Sequence, residues 1–329
     1  MHNHILITGG AGFIGSHLCE LLLNKGDVIT VIDDLSTGRL ENIEHLLSAP
    51  NFHFVRETIN NAQVLDRLTS QADTIIHLAA AVGVKLIVDD PVHTIRTNIT
   101  GTEAVLTTAN RYRCKVLLVS SSEVYGKGVK VPFSEDDDRL MGSTTRSRWA
   151  YAASKAVDEF LGLAYFHQFG LPVIITRFFN TIGPRQTGRY GMVVPNFIRQ
   201  ALSDAPLVVH GDGQQSRCFA DVADVVNAVS ELVEHPSSVG EVFNIGSSEE
   251  ISILGLAKRV IKLCQSNSEI KFTPYDQAFA PGFEDMRRRL PSTDKLVKLI
   301  GYRPMYSLDD SLLRVIAYER ERLENSSGV

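Results

Sequence analysis

Apolar residues in this chain fall into short runs separated by longer stretches with helical spacing. Ile5 to Thr8 is the first run and ends in glycines, the mark of a strand buried in a parallel sheet. Ile14, Leu18, Leu21 and Leu22 follow at helical spacing, and that pattern stops at Gly26. Further strands are predicted at 28–32, 53–55, 74–78, 116–120 and 173–177, with helices at 102–112 and 151–169. This alternation predicts an α/β fold, a Rossmann-like doubly wound parallel sheet covered on both faces. Beyond residue 180 the pattern loosens, broken by Pro184, Gly188, Gly191 and Pro195. A helix is expected at 194–203, a strand at 207–209, a turn at GDGQQ, a helix at 221–234 and a strand at 242–245. The expected division is 1–180 plus 217–246 as a dinucleotide-binding domain, with 181–216 plus 247–329 as a smaller α/β substrate domain. The polar end, 319–329, is expected to fray.

The first strand-to-helix junction carries TGGAGFIG. Gly9, Gly12 and Gly15 stand where backbone must turn tightly and approach a phosphate. The helix that follows presents free N–H groups and a positive dipole end to a pyrophosphate. Eighteen residues beyond Gly15, at the end of the second strand, stands Asp33. A carboxylate there accepts from both ribose hydroxyls and repels a 2′-phosphate. No basic residue precedes Arg39 in the run after it, so NAD is favoured over NADP.

A second constellation lies mid-chain. Tyr151 and Lys155, in YAASK, share one helical face, and Ser121 and Ser122 stand upstream in SSSEVYG. An ammonium one turn from a phenol favours the phenolate, which is a base for an alcohol proton. A hydroxyl beside it would orient the same oxygen.

Composition narrows the partners. The 329 residues are 44% hydrophobic and carry a net charge of −5 without a long basic run, which argues against nucleic acid or an anionic membrane. The start of the chain has neither a signal-like segment nor an apolar run long enough for a bilayer, so a cytoplasmic location is expected. Cys19, Cys114, Cys218 and Cys264 lack metal-ligand spacing. No metal is expected, and His77 and His210 read as structural.

TGGAGFIG, DDLSTG, HLAA, SSSEVYG, YAASK, RFFNTIGPRQ, VVPNFI, GDGQQSRCF, NIG and RRRLPST occur in one order along nearly the whole chain. In this the chain resembles the extended short-chain dehydrogenase/reductase family of nucleotide-sugar epimerases, dehydratases and decarboxylases. The resemblance implies a tightly held NAD, a UDP-sugar substrate and a homodimer built on helices near 102–112 and 151–168. It places the cofactor against Gly9, Gly12, Phe13, Ile14 and Gly15, and against Asp33, Asp34, Leu35, Ser36, Thr37 and Gly38. It adds Leu78, Ala79 and Ala80 of HLAA, then Asn98, Tyr151 and Lys155. The family often has a Gly-Asp pair after the third strand, where this chain has Glu57 and Thr58, so either of these is left to meet the adenine.

Within the family, Glu123 directly after Ser122, and Arg289 in RRRLPST, resemble the UDP-glucuronate decarboxylases, as do Arg148 and Trp149 before the tyrosine. The implied chemistry is oxidation at C4 of the sugar, loss of CO2 from the resulting β-keto acid, and re-reduction to a UDP-pentose. Glu123 would then assist at C5, by ring distortion or through water, and Arg289 would hold the carboxylate, with Arg287 and Arg288 competing for that role. Substrate contacts are implied for Asn180, Val194, Arg217 and Asp276. Arg185 either borders the nucleotide or caps its loop. The alternative activity is 4-epimerisation of a UDP-hexose or UDP-uronate by the same tyrosine, lysine and serines. An NAD-binding protein without catalysis is a third reading.

Overall fold

The computed structural model describes residues 3–81, 90–128, 130–146, 148–188, 191–278 and 286–327. Seven strands form one parallel sheet: β1 (His4–Thr8), β2 (Val28–Ile32), β3 (Phe52–Val55), β4 (Thr74–His77), β5 (Lys115–Ser121), β6 (Val173–Phe178) and β11 (Val242–Ile245). Their order is β11-β6-β5-β4-β1-β2-β3. The direction of winding reverses between β1 and β4, which opens a crevice at the carboxyl ends of those strands.

Successive side chains of a strand point to opposite faces, and the core divides accordingly. Ile5 and Ile7 pack with Leu117 and Ile174 on one face, under α1 (Phe13–Asn24) and α6 (Val222–Glu234). Leu6 packs with Val116, Leu118, Val173 and Ile175 on the other. That face lies under α2 (Ala62–Thr69), α3 (Pro91–Tyr112) and α4 (Arg148–Phe169). The strands are apolar throughout because both faces are covered.

A second core gathers α5 (Val193–Leu202), α7 (Ile253–Cys264) and α10 (Leu308–Ser327) around Phe197, Ile198, Leu207, Leu256, Val260, Leu312 and Ile316. Short strands complete this part: β7 (Thr181–Ile182) with β10 (Ala220–Asp221), β8 (Leu207–His210) with β13 (Ile270–Thr273), and β12 (Glu250–Ser252) and β14 (Arg288–Arg289) flanking β9 (Ser216–Cys218). The four-residue α8 (Tyr275–Ala278) and α9 (Asp294–Ile300) close it. Leu296 on α9 and Tyr302 after it pack back into the core of the large sheet.

The end of the chain departs from expectation. Instead of fraying at 319, α10 continues to Ser327. Its Glu319 is buried and accepts from Arg199 Nε and Nη2 at 2.9 and 3.0 Å, which ties the helix to α5. A charge-assisted pair in a fork geometry holds a helix that composition alone would leave loose.

Candidate active site

One continuous cleft runs from the glycine junction, across the ends of β1, β4 and β5, to β9 and β14. At its first end a Cβ on Gly15 would lie 2.4 Å from Gly9 O, and one on Gly9, whose φ is +74°, would lie 2.8 Å from Ala79 N. Side chains are therefore excluded and the backbone is left bare. Asn61, Asp221 and Ser252 cap α2, α6 and α7 with side-chain oxygens, whereas α1 begins at Gly12 with no side-chain cap. Its first residues, Phe13, Ile14 and Gly15, line the cleft, and an uncapped helix start suits an anion there. Asp33 is buried at the rim, accepting from Ala11 N at 3.0 Å and Leu35 N at 2.8 Å. Burial raises its pKa against those two hydrogen bonds. These residues fit a dinucleotide with free ribose hydroxyls.

Gly9, Gly12, Phe13, Ile14, Gly15, Asp33, Asp34, Ser36, Thr37, Leu78, Ala79 and Ala80 all line this cleft. Leu35 and Gly38 do not; they build the turn around the Asp33 carboxylate. Asn98 is buried behind the wall, accepting from Ala81 N at 2.9 Å and donating to Ser154 Oγ at 3.1 Å. It holds the loop after β4 rather than facing the cleft. Glu57, Thr58, Ile59 and Asn60 form the far edge. The Glu57 carboxylate is engaged locally, by Thr58 N at 2.9 Å and Asn61 Nδ2 at 3.0 Å.

The chemistry-bearing groups meet where β5 ends. Ser121, Ser122, Glu123 and Tyr151 line the same wall. Ser121 hydrogen-bonds the Tyr151 phenol, which eases its ionisation, but burial comes first and raises the phenol above its ordinary pKa, helped by the Glu123 carboxylate. The expected phenolate rests on Lys155 together with the nicotinamide cation, and the lysine also has a second partner. Lys155 Nζ donates to Asp158 Oδ2 at 2.7 Å, so its charge is balanced inside the helix.

Glu123 lies between two guanidiniums. Arg148 Nη1 is 2.7 Å from Oε2, and Arg289 Nη1 donates to Oε1. Arg289 Nη2 also donates to Asn180 Oδ1. Burial would raise the Glu123 pKa, yet Arg148 and then Arg289 outweigh it and hold the carboxyl at about 2. A carboxyl so held is ionised at neutral pH and has no proton to give, so its assistance at C5 is confined to orienting groups or water. The three side chains sum to one positive charge in a buried wall, and Arg289 Nε has no hydrogen-bond partner there. That surplus and that donor suit an incoming anion.

The arginine run separates by strand alternation. Arg288 pairs outward with Glu250 at 2.7 Å, while Arg289 turns inward beside Arg217, its partner in the β14–β9 register. Arg287 is exposed, pairs with Asp212 at 3.3 Å, and does not line the cleft, contrary to the substrate contact expected of it. Arg185 also departs from the nucleotide-bordering alternative. It donates to Glu20 Oε1 at 2.5 Å and Ser16 Oγ at 3.2 Å, tying its loop to α1. Asn180, Val194 and Arg217 line the substrate end. The side chain of Asp276 lies outside the described residues.

Set against known proteins, the chain matches the GDP-mannose 4,6 dehydratase family over residues 6–315. The chain belongs to this family, within the extended short-chain dehydrogenases/reductases that act on nucleotide sugars. It is 41% identical over 326 residues to a UDP-N-acetyl-alpha-D-glucosaminuronate decarboxylase of Bacillus cytotoxicus, covering 99% of this chain and 100% of that one. Identity is 38% over 326 residues to UDP-glucuronic acid decarboxylase 1 of Xenopus tropicalis, covering 98% of this chain and 74% of the relative. Among solved structures, UDP-glucuronic acid 4-epimerase from Bacillus cereus, in complex with UDP-glucuronic acid and NAD, is 32% identical with a TM-score of 0.87. That match covers 97% of this chain and 99% of the epimerase.

Several residues of this family member's cleft were not among the expected site residues. Arg148 stands out in the sequence only as part of a likeness, and its contact with Glu123 depends on how the start of α4 meets the end of β5. Gln186, His210, Gln215, Phe219 and Tyr275 also line the substrate end. GDGQQ reads as a turn, and nothing in its pattern marks Gln215 as cleft-facing. Burial lowers the His210 pKa. Among the described residues no cluster of His, Cys, Asp or Glu could hold a metal ion, and no helix is long and apolar enough to cross a membrane.

Proposed function

We propose that this protein is an NAD-dependent decarboxylase of a UDP-hexuronate, with UDP-glucuronate as substrate. The observation that carries the reading is the Glu123–Arg148–Arg289 cluster beside Tyr151, a buried wall with one positive charge in excess in the cleft that begins at the dinucleotide crevice. A neutral hexose leaves that charge unmatched, and a uronate matches it. The decarboxylases at 41% and 38% identity agree with this choice.

Gly9, Gly12, Gly15 and Asp33 would hold NAD, which would supply a reversible hydride acceptor for C4. The chain's own residues do the rest. Tyr151 removes the proton of the C4 hydroxyl, and Ser121 or Ser122 orients that oxygen. With C4 a ketone, the C5 carboxylate belongs to a β-keto acid. The C5–C6 bond breaks, CO2 leaves, and the electron pair moves onto the C4 oxygen as an enolate. Arg289, positioned by Glu123 and Asn180, holds the carboxylate and then faces the developing charge. A proton from water restores C5, and reduction at C4 gives a UDP-pentose. Arg217 holds the substrate diphosphate.

The division into 1–180 plus 217–246 and 181–216 plus 247–329 is proposed with the same reading, because most of each part gathers on a separate apolar core, with Leu296 and Tyr302 crossing to the first and Phe219 to the second. The homodimer rests on α3 and α4, whose Ile95, Val157 and Phe160 are exposed apolar residues. A cytoplasmic location is consistent with four buried free thiols.

The test is incubation with UDP-glucuronate, and in parallel with UDP-N-acetylglucosaminuronate, followed by mass spectrometry. A product lighter by CO2 supports the proposal. A product of unchanged mass and different retention identifies a 4-epimerase instead, the activity for which the structurally similar Bacillus cereus protein is named. No change with either compound refutes the substrate class.

A further inference from the structure

Asp158 is a buried acid that the mechanism above leaves unused. It lies one turn beyond Lys155 on α4 and takes the Lys155 ammonium at 2.7 Å, with both side chains almost fully excluded from solvent, at 2% and 3% exposure. Its Oδ1 is buried without a hydrogen-bond partner, so the carboxylate depends on Lys155 for most of its stabilisation. We propose that Asp158 is a positioning residue of the oxidation step, holding Lys155 as an ion pair and setting the pH at which the Tyr151–Lys155 couple gives up its first proton. The proposal rests on the C4 oxidation proposed above.

The argument is one of charge balance. A buried ammonium without a counter-ion sheds its proton, and a buried carboxylate without one takes a proton up. Burial raises the Asp158 pKa and the Lys155 contact opposes that rise, and as an ion pair the two offset each other's field on the phenol. The stimulus to ionise Tyr151 is thereby weaker than the Tyr-x-x-x-Lys spacing suggests. The surrounding groups are few. From α3, the Thr102 hydroxyl supports the Asp158 carboxylate against burial. From β4, His77 is neutral, its pKa lowered to about 3 by burial and by Lys155, and it bridges Thr8 Oγ1 at 2.7 Å and Thr102 Oγ1 at 3.2 Å. On α4 itself Glu159 is committed to Arg177 and Ser120. Ser121 and Glu123 face Tyr151 from the end of β5, and Arg289 from β14. Removing the Asp158 carboxylate therefore deletes a single charge from surroundings that are otherwise fixed.

Asp158→Asn and Asp158→Ser keep a polar side chain and delete the charge. With either, the couple should lose its first proton at lower pH, whichever of the two groups carries the remaining proton. The acid limb of kcat/KM for UDP-glucuronate should move down by about one pH unit, so the rate well below the wild-type limb should rise about tenfold. Asp158→Glu should return the profile towards wild type. A second readout needs no turnover: with tyrosine labelled at ¹³Cζ, the resonance lost in Tyr151→Phe should titrate at lower pH in Asp158→Asn without ligand. A limb and a resonance that stay in place, in variants that melt and bind NAD as wild type does, would overturn the proposal. If wild-type protein does not oxidise any uronate, the functional reading fails, while the ligand-free titration still decides the role of Asp158.

Discussion

Glu123→Gln isolates the wall of the site. The wild-type carboxyl is held at about 2 against an ordinary 4.5 because Arg148 and Arg289 flank it, despite its burial. That difference corresponds to roughly 3 kcal/mol of net favourable interaction with the charged form. The sign follows from the depressed pKa: the contribution is complete above the ordinary carboxylate range and is lost as pH falls towards 2. Glutamine keeps the shape but deletes the charge, leaving Arg148 and Arg289 facing each other. At pH 7 the variant should therefore melt lower by about 6 °C, taking about 2 °C for each kcal/mol in a chain of this size. It should also lose CO2 release, because Arg289 loses the partner that aims it, while NAD affinity stays unchanged. The diagnostic assay is the thermal shift produced by ligand. In the variant the wall carries one more unmatched positive charge, so UDP-glucuronate should raise the melting temperature more than it does in wild type. UDP-glucose should not. Equal shifts from the two ligands, or a variant as stable as wild type, would refute the reasoning about the surplus charge.

Other outcomes follow from single contacts. Tyr151→Phe deletes the phenol on the wall by Ser121 and should abolish NADH formation from the uronate, read by absorbance; persistent turnover would remove it from the base role. Asp33→Ala frees Ala11 N and Leu35 N and deletes the ribose-facing carboxylate; calorimetry should report NAD affinity at least tenfold weaker, with UDP-sugar affinity unchanged. Arg177→Met takes from Glu159 its buried two-point partner, Arg177 Nε at 2.9 Å and Nη2 at 2.8 Å, and leaves it Ser120 Oγ at 2.6 Å and the more exposed Arg139 Nη2 at 3.1 Å. Denaturant unfolding should show a loss of about 3–5 kcal/mol.

Much of the frame was legible along the chain. Buried parallel strands must be apolar on both faces, so 5–8, 28–32 and 173–177 announce themselves by composition, and Gly9 and Gly15 announce the crevice because a side chain at either would strike backbone. The phenol, the two serines and the two arginine-rich stretches were likewise readable as types of residue at fixed spacing. Their partners were not. Lys155 lies one turn from both Tyr151 and Asp158, and sequence spacing alone cannot say which of them takes its charge. Three consecutive arginines look alike until the β14–β9 register turns Arg289 inward and leaves Arg287 and Arg288 with Asp212 and Glu250. Arg148 meets Glu123 across 25 residues of chain, and Arg289 meets the same carboxylate from 166 residues away. Local sequence determines what a segment can become, through periodicity, sterics and hydrogen-bonding capacity. Which charges end in contact, and hence which acid is ionised and which base is silent, is decided only when distant segments pack and water is excluded between them.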